Sequence, residues 1–367
     1  MISFNRLDLL HNEVKIKSEI MDAFERSITK SEFILGTEVQ KFENSFSVLS
    51  GVRYGIGIDN GLNAISIGIN ALDLDPGDEI IVQANTYIAT ILGVVRNHLK
   101  PVFVEPDYTY NIDPLKIEEK ITSKTKAVLI THLYGQASNM DAISVITKRH
   151  GLYLMEDCAQ AHFSTWNGKA IGSFGVLSFF SFYPSKPLGA LGDAGLILTD
   201  NEQLRDRIIS LRNYGKVDKY NHKVIGFNAR LDEVQAAILN VKLNYFNLHN
   251  SYRTNIAIRY LNEIKNELIS LPLLNDHATH VWHLFVVRVE KREVFLNYLI
   301  ENKIGFEIHY PIPPHLDEAL NFLGHKSGDF PLTEKFSNQV VSLPLYYGMT
   351  ESDVNTVIYK LNEYKGV

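Results

Sequence analysis

One cysteine, Cys158, stands among 367 residues. An intrachain disulfide is therefore impossible, and a cysteine-rich metal site is excluded. Such sparing use of cysteine fits a reducing compartment, so a cytoplasmic location is expected. No stretch approaches the roughly 20 consecutive apolar residues that span a bilayer. The opening residues, "MISFNRLDLLHNEVKIKSEI", are too broken by charge to contain the apolar core of a signal peptide. Positive charge is not in surplus: 36 Lys and Arg face 42 Asp and Glu, a net charge of −6. That balance gives no electrostatic case for nucleic acid or an anionic membrane as partner. Internal repeats and low-complexity segments are also missing. The one glycine-spaced strand end, "GIGIDNG", lacks the spacing of a dinucleotide fingerprint, which argues against a nicotinamide-dependent dehydrogenase.

What is present is an ordinary globular composition, 45% apolar and 21% charged, long enough for two domains. Val14, Ile16, Ile20, Met21, Phe24 and Ile28 recur at helical spacing, and "TEVQKFENSFSVLSG" reads as a second helix ending at Gly51. Short apolar runs then alternate with helical or turn segments: "YGIGI", "EIIV", "PVFVE", "AVLITHL", "LYLME", "VLSFFSF" and "GLILT". This alternation predicts an α/β domain with a mostly parallel sheet covered by helices on both faces. Ligands in such sheets sit beyond the C-terminal strand ends. After about residue 240 the pattern changes. One long helix is expected over "ARLDEVQAAILNVKLNYFNLHNSYRTNIAIRYLNEI", followed by a small α+β unit built around "HVWHLFVVRV", "REVFLNYLIEN" and "GFEIHYPIP". The expected division is a large domain over 1–245, with the N-terminal helices, and a small one over 246–367.

Two residues at strand ends carry the chemistry. "LYLMEDCAQAH" runs from a strand into Glu156 and Asp157, whose side chains point to opposite faces. Asp157 is either a helix-cap or turn aspartate or a functional acid. "VLSFFSFYP" is a second buried strand, and Lys186 lies just past its end. An amine against an apolar wall has a lowered pKa and, once neutral, condenses with aldehydes. A lysine and an acid in this relation suit pyridoxal phosphate, which needs the first for its aldehyde and the second for its pyridine nitrogen. "DNGLNA" places Asn60, Gly61 and Leu62 at a strand-to-helix junction, where backbone N–H groups attract phosphate. Ser181 adds a hydroxyl, and Tyr87 in "QANTYIAT" offers a flat ring.

The ordered blocks "DNGLNAI", "PGDEIIVQANTYIAT", "HLYGQASNMDAI", "EDCAQAH", "SFYPSKPLGALGDAG", "GFNARLDEVQAAIL", "HLFVVR" and "IHYPIPPHL" span about residues 30 to 350. Together they closely resemble the pyridoxal-phosphate sugar aminotransferases of the DegT/DnrJ/EryC1/StrS family. The resemblance implies the fold type I aminotransferase architecture. It assigns Lys186 to the cofactor aldehyde, Asp157 to the pyridine nitrogen, Gln160 to the ring hydroxyl and Tyr87 to ring stacking. Gly61, Leu62 and Ser181 match phosphate contacts. Asn228 matches a contact to the phosphate of a neighbouring subunit's cofactor, which implies a homodimer with shared sites. Tyr183, Tyr220, His309 and Tyr310 match positions near the sugar, Tyr220 in the partner's site. His162 stands either near the sugar or at a turn. His132 and His283 read as structural, Trp282 as core and Cys158 as packing; no metal is expected.

"SFYPSKPLGALGDAG" resembles the branch that aminates C-3 of nucleotide-linked 3-keto-6-deoxyhexoses. Branches acting at C-4 have a histidine in place of Tyr183 and a glutamate-glycine-glycine turn. Retention of Lys186 sets the chain apart from dehydratase relatives that carry histidine there. The implied reaction takes an amino group from L-glutamate through pyridoxamine phosphate to a dTDP-linked ketosugar, in the making of a surface polysaccharide such as O-antigen or of an antibiotic sugar. Amination at C-4 is the alternative within the family. A non-catalytic sensor or regulator on the same fold is the alternative outside catalysis.

Overall fold

The computed structural model describes residues 1–367. Helices α1 (Leu7–His11), α2 (Val14–Lys30) and α3 (Thr37–Ser50) precede the first strand. The strands are β1 (Tyr54–Ile58), β2 (Glu79–Gln83), β3 (Lys100–Val104), β4 (Thr125–Thr131), β5 (Tyr153–Asp157), β6 (Thr165–Trp166), β7 (Lys169–Ala170), β8 (Leu177–Ser181), β9 (Gly195–Thr199), β10 (Phe285–Arg288) and β11 (Val340–Leu343). Between and after them come α4 (Gly61–Ala71), α5 (Ile88–Val95), α6 (Met140–His150), α7 (Glu202–Leu211), α8 (Glu233–Asn244), α9 (Phe246–Glu263), α10 (Arg292–Glu301), α11 (Pro331–Gln339) and α12 (Glu351–Glu363).

Seven strands form one sheet in the order β1-β9-β8-β5-β4-β2-β3. Every pair is parallel except the two made by β9. All seven apolar runs read from the sequence are strands of this sheet. Their continuous apolar character follows from burial on both faces. Ile80, Val82, Leu129 and Phe179 face one layer with α4, α5 and α7. The alternate residues Ile81, Val128, Ile130 and Phe180 face the other, with α3, α6 and α8.

A third core lies towards the C-terminus, where α9, α10 and α12 pack on the antiparallel pair β10–β11 through Tyr260, Phe285, Phe295 and Val357. Ile2 joins this core from the other end of the chain, bridging to Ile304. "GFEIHYPIP" forms no strand and meets the pair through a Glu307–Ser342 bridge and the His309 side chain.

The single long helix expected over 229–264 is instead two. Ala229–Leu231 is not helical, and α8 begins after Asp232, whose backbone is extended. Between α8 and α9, Tyr245 has ψ near 0°, and its N–H bonds the Lys242 carbonyl three residues back. Its hydroxyl donates to Glu19 on α2 at 2.7 Å. The tightened turn redirects the chain, so that α8 serves the sheet layer and α9 the third core.

The apolar stripe on α2 also divides. Ile16 and Ile20 are buried against α8, whereas Val14, Met21, Phe24 and Ile28 are exposed.

Candidate active site

The C-terminal ends of β1, β5 and β8 lie side by side, with the start of β9 among them. Gly195 pairs with Ile58 on one side and Ser181 on the other. A Cβ on Gly195 would stand 2.6 Å from the Asn60 carbonyl, and one on Gly61 would stand 2.7 Å from the Ser181 Cβ. Only glycine lets these two backbones close up. The start of α4 is thereby pressed against the end of β8. Asn60 caps the helix by accepting from the Asn63 N–H at 2.8 Å. The N–H groups of Gly61 and Leu62 have no carbonyl to bond, and the Ser181 hydroxyl lies beside them. Such a set of free donors at a helix start suits an anion.

Asp157 ends β5 and is buried. One carboxylate oxygen accepts from the Thr90 hydroxyl at 2.7 Å and the other from the Ala159 N–H at 3.1 Å. Thr90 is itself held by Thr86, which contacts Thr131. Burial raises the pKa of Asp157, opposed by those two hydrogen bonds and then by the charge of Lys186. The neighbouring Glu156 points to the other face, as its place in the strand requires. There it accepts from the N–H groups of Gly172, Phe174 and Gly175 and from His132, whose other nitrogen accepts from Ser138. Glu156, His132 and Cys158 bring ligand-type atoms together, but the carboxylate is already committed to backbone donors.

Lys186 lies in a turn fixed by Pro184, where its N–H donates to the Tyr183 carbonyl at 2.8 Å. Its ammonium makes no hydrogen bond or ion pair to any side chain. Burial pushes its pKa down to about 8, against the pull of Asp157. His162, fully buried, clamps the loop at both ends. Its Nδ1 accepts from the Leu188 N–H at 3.1 Å, and its Nε2 faces the Ser181 carbonyl at 3.0 Å. The first contact leaves the proton on Nε2, so the ring is neutral, and burial holds its pKa at about 3. Of the two places open to His162, the structure gives it the turn.

The outer wall consists of Tyr87, Gln160, His309 and Tyr310. Gln160 accepts from the Tyr134 N–H at 2.7 Å and donates to the Tyr310 hydroxyl at 2.9 Å. The Tyr310 ring lies 5.0 Å from that of Tyr87. His309 contacts the Ser342 hydroxyl at 2.8 Å, and its carbonyl accepts from the Tyr134 hydroxyl. Burial, then the charge of Lys186, lowers the His309 pKa to about 4.

Tyr183 is exposed beyond the strand end. Within the chain, no hydrogen bond or ring contact joins Tyr220 or Asn228 to this cluster. Tyr220 is 77% exposed, at the tip of a small loop turned by Asp218. Asn228 is exposed and bridges by backbone to Asn213.

Sequence reasoning missed Thr90, the one hydroxyl in the apolar helix "IATILGVV", which was its only signal. His283, read as structural, has a buried Nδ1 without a partner and lines a cavity with Lys186.

These residues fit pyridoxal phosphate. The unbonded N–H groups of Gly61 and Leu62 beside the Ser181 hydroxyl suit a phosphate, buried Asp157 suits a protonated ring nitrogen, and unpaired Lys186 suits an aldehyde. The family model described as the DegT/DnrJ/EryC1/StrS aminotransferase family matches residues 14–362. A dTDP-3-amino-3,6-dideoxy-alpha-D-galactopyranose transaminase of Aneurinibacillus thermoaerophilus is 49% identical, over 99% of each chain. A protein of Geobacillus stearothermophilus named as a pleiotropic regulatory protein is 40% identical, over 98% of this chain and 97% of its own. The solved structure of S. venezuelae DesV superposes with a TM-score of 0.95 at 37% identity, covering 99% of this chain and 98% of that one.

Fold and site together define an aminotransferase of the pyridoxal-phosphate class with fold type I architecture. The chain belongs to the DegT/DnrJ/EryC1/StrS aminotransferase family.

Proposed function

We propose that the chain transfers an amino group from L-glutamate to C-3 of a dTDP-linked 3-keto-6-deoxyhexose, yielding a 3-amino-3,6-dideoxyhexose. The observation that carries the chemistry is Lys186, unpaired and with a lowered pKa, near buried Asp157 and the Gly61–Ser181 cradle. Regiochemistry rests on Tyr183 and the "GALGDAG" turn, and on the name of the 49% identical relative.

Pyridoxal phosphate, when bound, supplies the aldehyde and the electron sink. The N–H groups of Gly61 and Leu62 and the Ser181 hydroxyl hold its phosphate. Asp157, oriented by Thr90, keeps a proton on the ring nitrogen. Gln160 bonds the ring hydroxyl, and Tyr87 covers the ring face. Lys186 would hold the aldehyde and, as a free amine, would move a proton between the reacting carbons as general acid and base. Tyr183, His309 and Tyr310 contact the sugar.

The working unit is a homodimer in the cytoplasm, with Asn228 and Tyr220 serving the partner's site. Their exposure and the apolar face on α2 support this reading. No helix is long and apolar enough to cross a membrane. The product serves surface-polysaccharide or antibiotic-sugar synthesis. The relative with a regulator's name supports a second, non-catalytic reading, but such a protein has no need of Lys186 and Asp157.

Product analysis decides between them. Purified protein, pyridoxal phosphate and glutamate are incubated with the dTDP-linked 3-keto-6-deoxy sugars of galacto and gluco configuration and with a 4-keto sugar. The 3-amino product is expected, with the galacto substrate first to try. Amination of only the 4-keto sugar would move the reaction to C-4, and no turnover with any of them would favour the regulator.

A further inference from the structure

A cavity of about 60 Å³ backs onto the Lys186 loop. Pro184–Gly189 form one wall, and the others come from residues 5–11, the α8–α9 junction, His283 and Leu345–Tyr347. It shares Lys186 with the candidate active site, but none of Gly61, Tyr87, Asp157, Gln160 or Ser181 lines it, so it adjoins the cofactor cradle from behind the loop.

Its lining is cationic and unpaired. Lys242 is 4% exposed, and its only side-chain partner is His11 Nε2 at 3.2 Å. For that contact the ammonium donates and the ring is neutral, and burial and Lys242 hold the His11 pKa at about 4. His249 is 5% exposed, with a buried Nε2 that bonds nothing. Arg253 donates only to Asn250 on its own helix, at 3.4 Å, and its buried Nε is free. His283 adds the unpartnered Nδ1. Lys242 lines the cavity from α8, and His249 and Arg253, one turn apart, line it from α9.

No carboxylate answers these charges. Asp8 is held by both ends of the Arg6 guanidinium. Glu13 pairs with neither Lys242 nor Arg253, and one of its oxygens is buried and unbonded. Lys242 is buried and Arg253 half-buried, and a cation withdrawn from water without a counter-charge is strongly disfavoured, because the interior cannot replace the lost hydration. Three unfilled polar atoms at one cavity mark a place where something else completes the bonding.

We infer that this cavity is a binding site for a small oxyanion with two negative charges, either a short dicarboxylate or inorganic phosphate. Two charges match the two groups it would bridge, Lys242 with His11 and Arg253 with His249. The size fits as well: roughly 10–15 Å³ admits one water, so the space takes a few waters or one compact anion and not a nucleotide. Arginine and lysine are the donors that bind such oxyanions best. The inference does not depend on the transaminase reading.

Calorimetric titration of the cofactor-loaded protein tests it, with glutarate, phosphate and acetate at constant ionic strength. Glutarate has no amino group and cannot transaminate. One equivalent of dianion per chain is expected, with acetate roughly tenfold weaker or more. Arg253→Gln and Lys242→Met should each weaken the dianion by roughly tenfold or more, with the visible cofactor band unchanged. Lys242→Met replaces a buried ammonium that has no counter-charge by an apolar chain of similar length, so it is expected to fold even if Arg253→Gln does not. Binding of glutarate alone assigns the site to a dicarboxylate, and binding of phosphate assigns it to phosphate. Absence of dianion binding in the wild type, or unchanged affinity in Lys242→Met, overturns the inference. A protein that takes up no pyridoxal phosphate but still binds dianion in this residue-dependent way would refute the proposed function and leave the site standing.

Discussion

At the scale of single residues, Lys186 is governed by desolvation. The surrounding protein disfavours its ammonium, Asp157 favours it, and the balance lies at about 8, below an ordinary lysine at 10.5. The amine is therefore mostly neutral above pH 8 and mostly charged below it. Only the neutral form attacks an aldehyde. Capture of pyridoxal phosphate by the cofactor-free protein should be level above pH 8 and fall roughly tenfold per pH unit below it. Stopped-flow absorbance of wild type minus Lys186→Ala isolates this lysine from Lys242, whose pKa burial also lowers to about 8. A midpoint near 10.5 would mean that Lys186 is solvated and not poised. Between about 8 and 10.5 the folded protein carries fewer protons here than the unfolded chain. Lys186 thus makes stability rise with pH across that window.

At the scale of elements, the strands and the residues at their ends were legible because two regularities coincide. Runs of apolar residues identify strands buried on both faces, and parallel sheets place ligands at the C-terminal ends. Asp157, Lys186, Ser181 and Gly61 were all found that way. The break at Tyr245 was not legible, because no glycine or proline marks it; a tightened turn and a bond from a distant helix produce it. His162 was only half legible, since its partners are backbone groups of Ser181 and Leu188, far off in sequence. Phe46, Phe180 and Phe182 surround its ring, so His162→Phe tests the clamp with little change of bulk. It leaves a buried carbonyl and N–H unbonded, and a loss of about 1–3 kcal/mol is expected in urea denaturation. Looser retention of pyridoxal phosphate on dialysis should accompany it. Unchanged stability would make His162 a filler of space.

At the scale of the whole molecule, a set of large apolar side chains stands exposed. Met21, Phe24 and Ile28 on α2, with Phe33 and Ile34 just after it, form an apolar surface beside the sheet domain. Tyr220 and Asn228 stand free of the Lys186 cluster in their own chain. If Asn228 completes the partner's phosphate cradle, every site draws on two chains, and two inactive variants can repair each other. Lys186→Ala lacks the reactive amine, and Asn228→Ala lacks the donated amide. In a mixed dimer one site carries both defects and the other carries neither. Once tag pull-down shows that subunits exchange, and Asn228→Ala alone is clearly impaired, mixing equal amounts should raise activity above either variant by itself. With random exchange about half of the dimers are mixed, and each has one intact site of two, so recovery to about a quarter of wild-type activity is expected. Mixed dimers without that gain would place Asn228 in the service of its own chain.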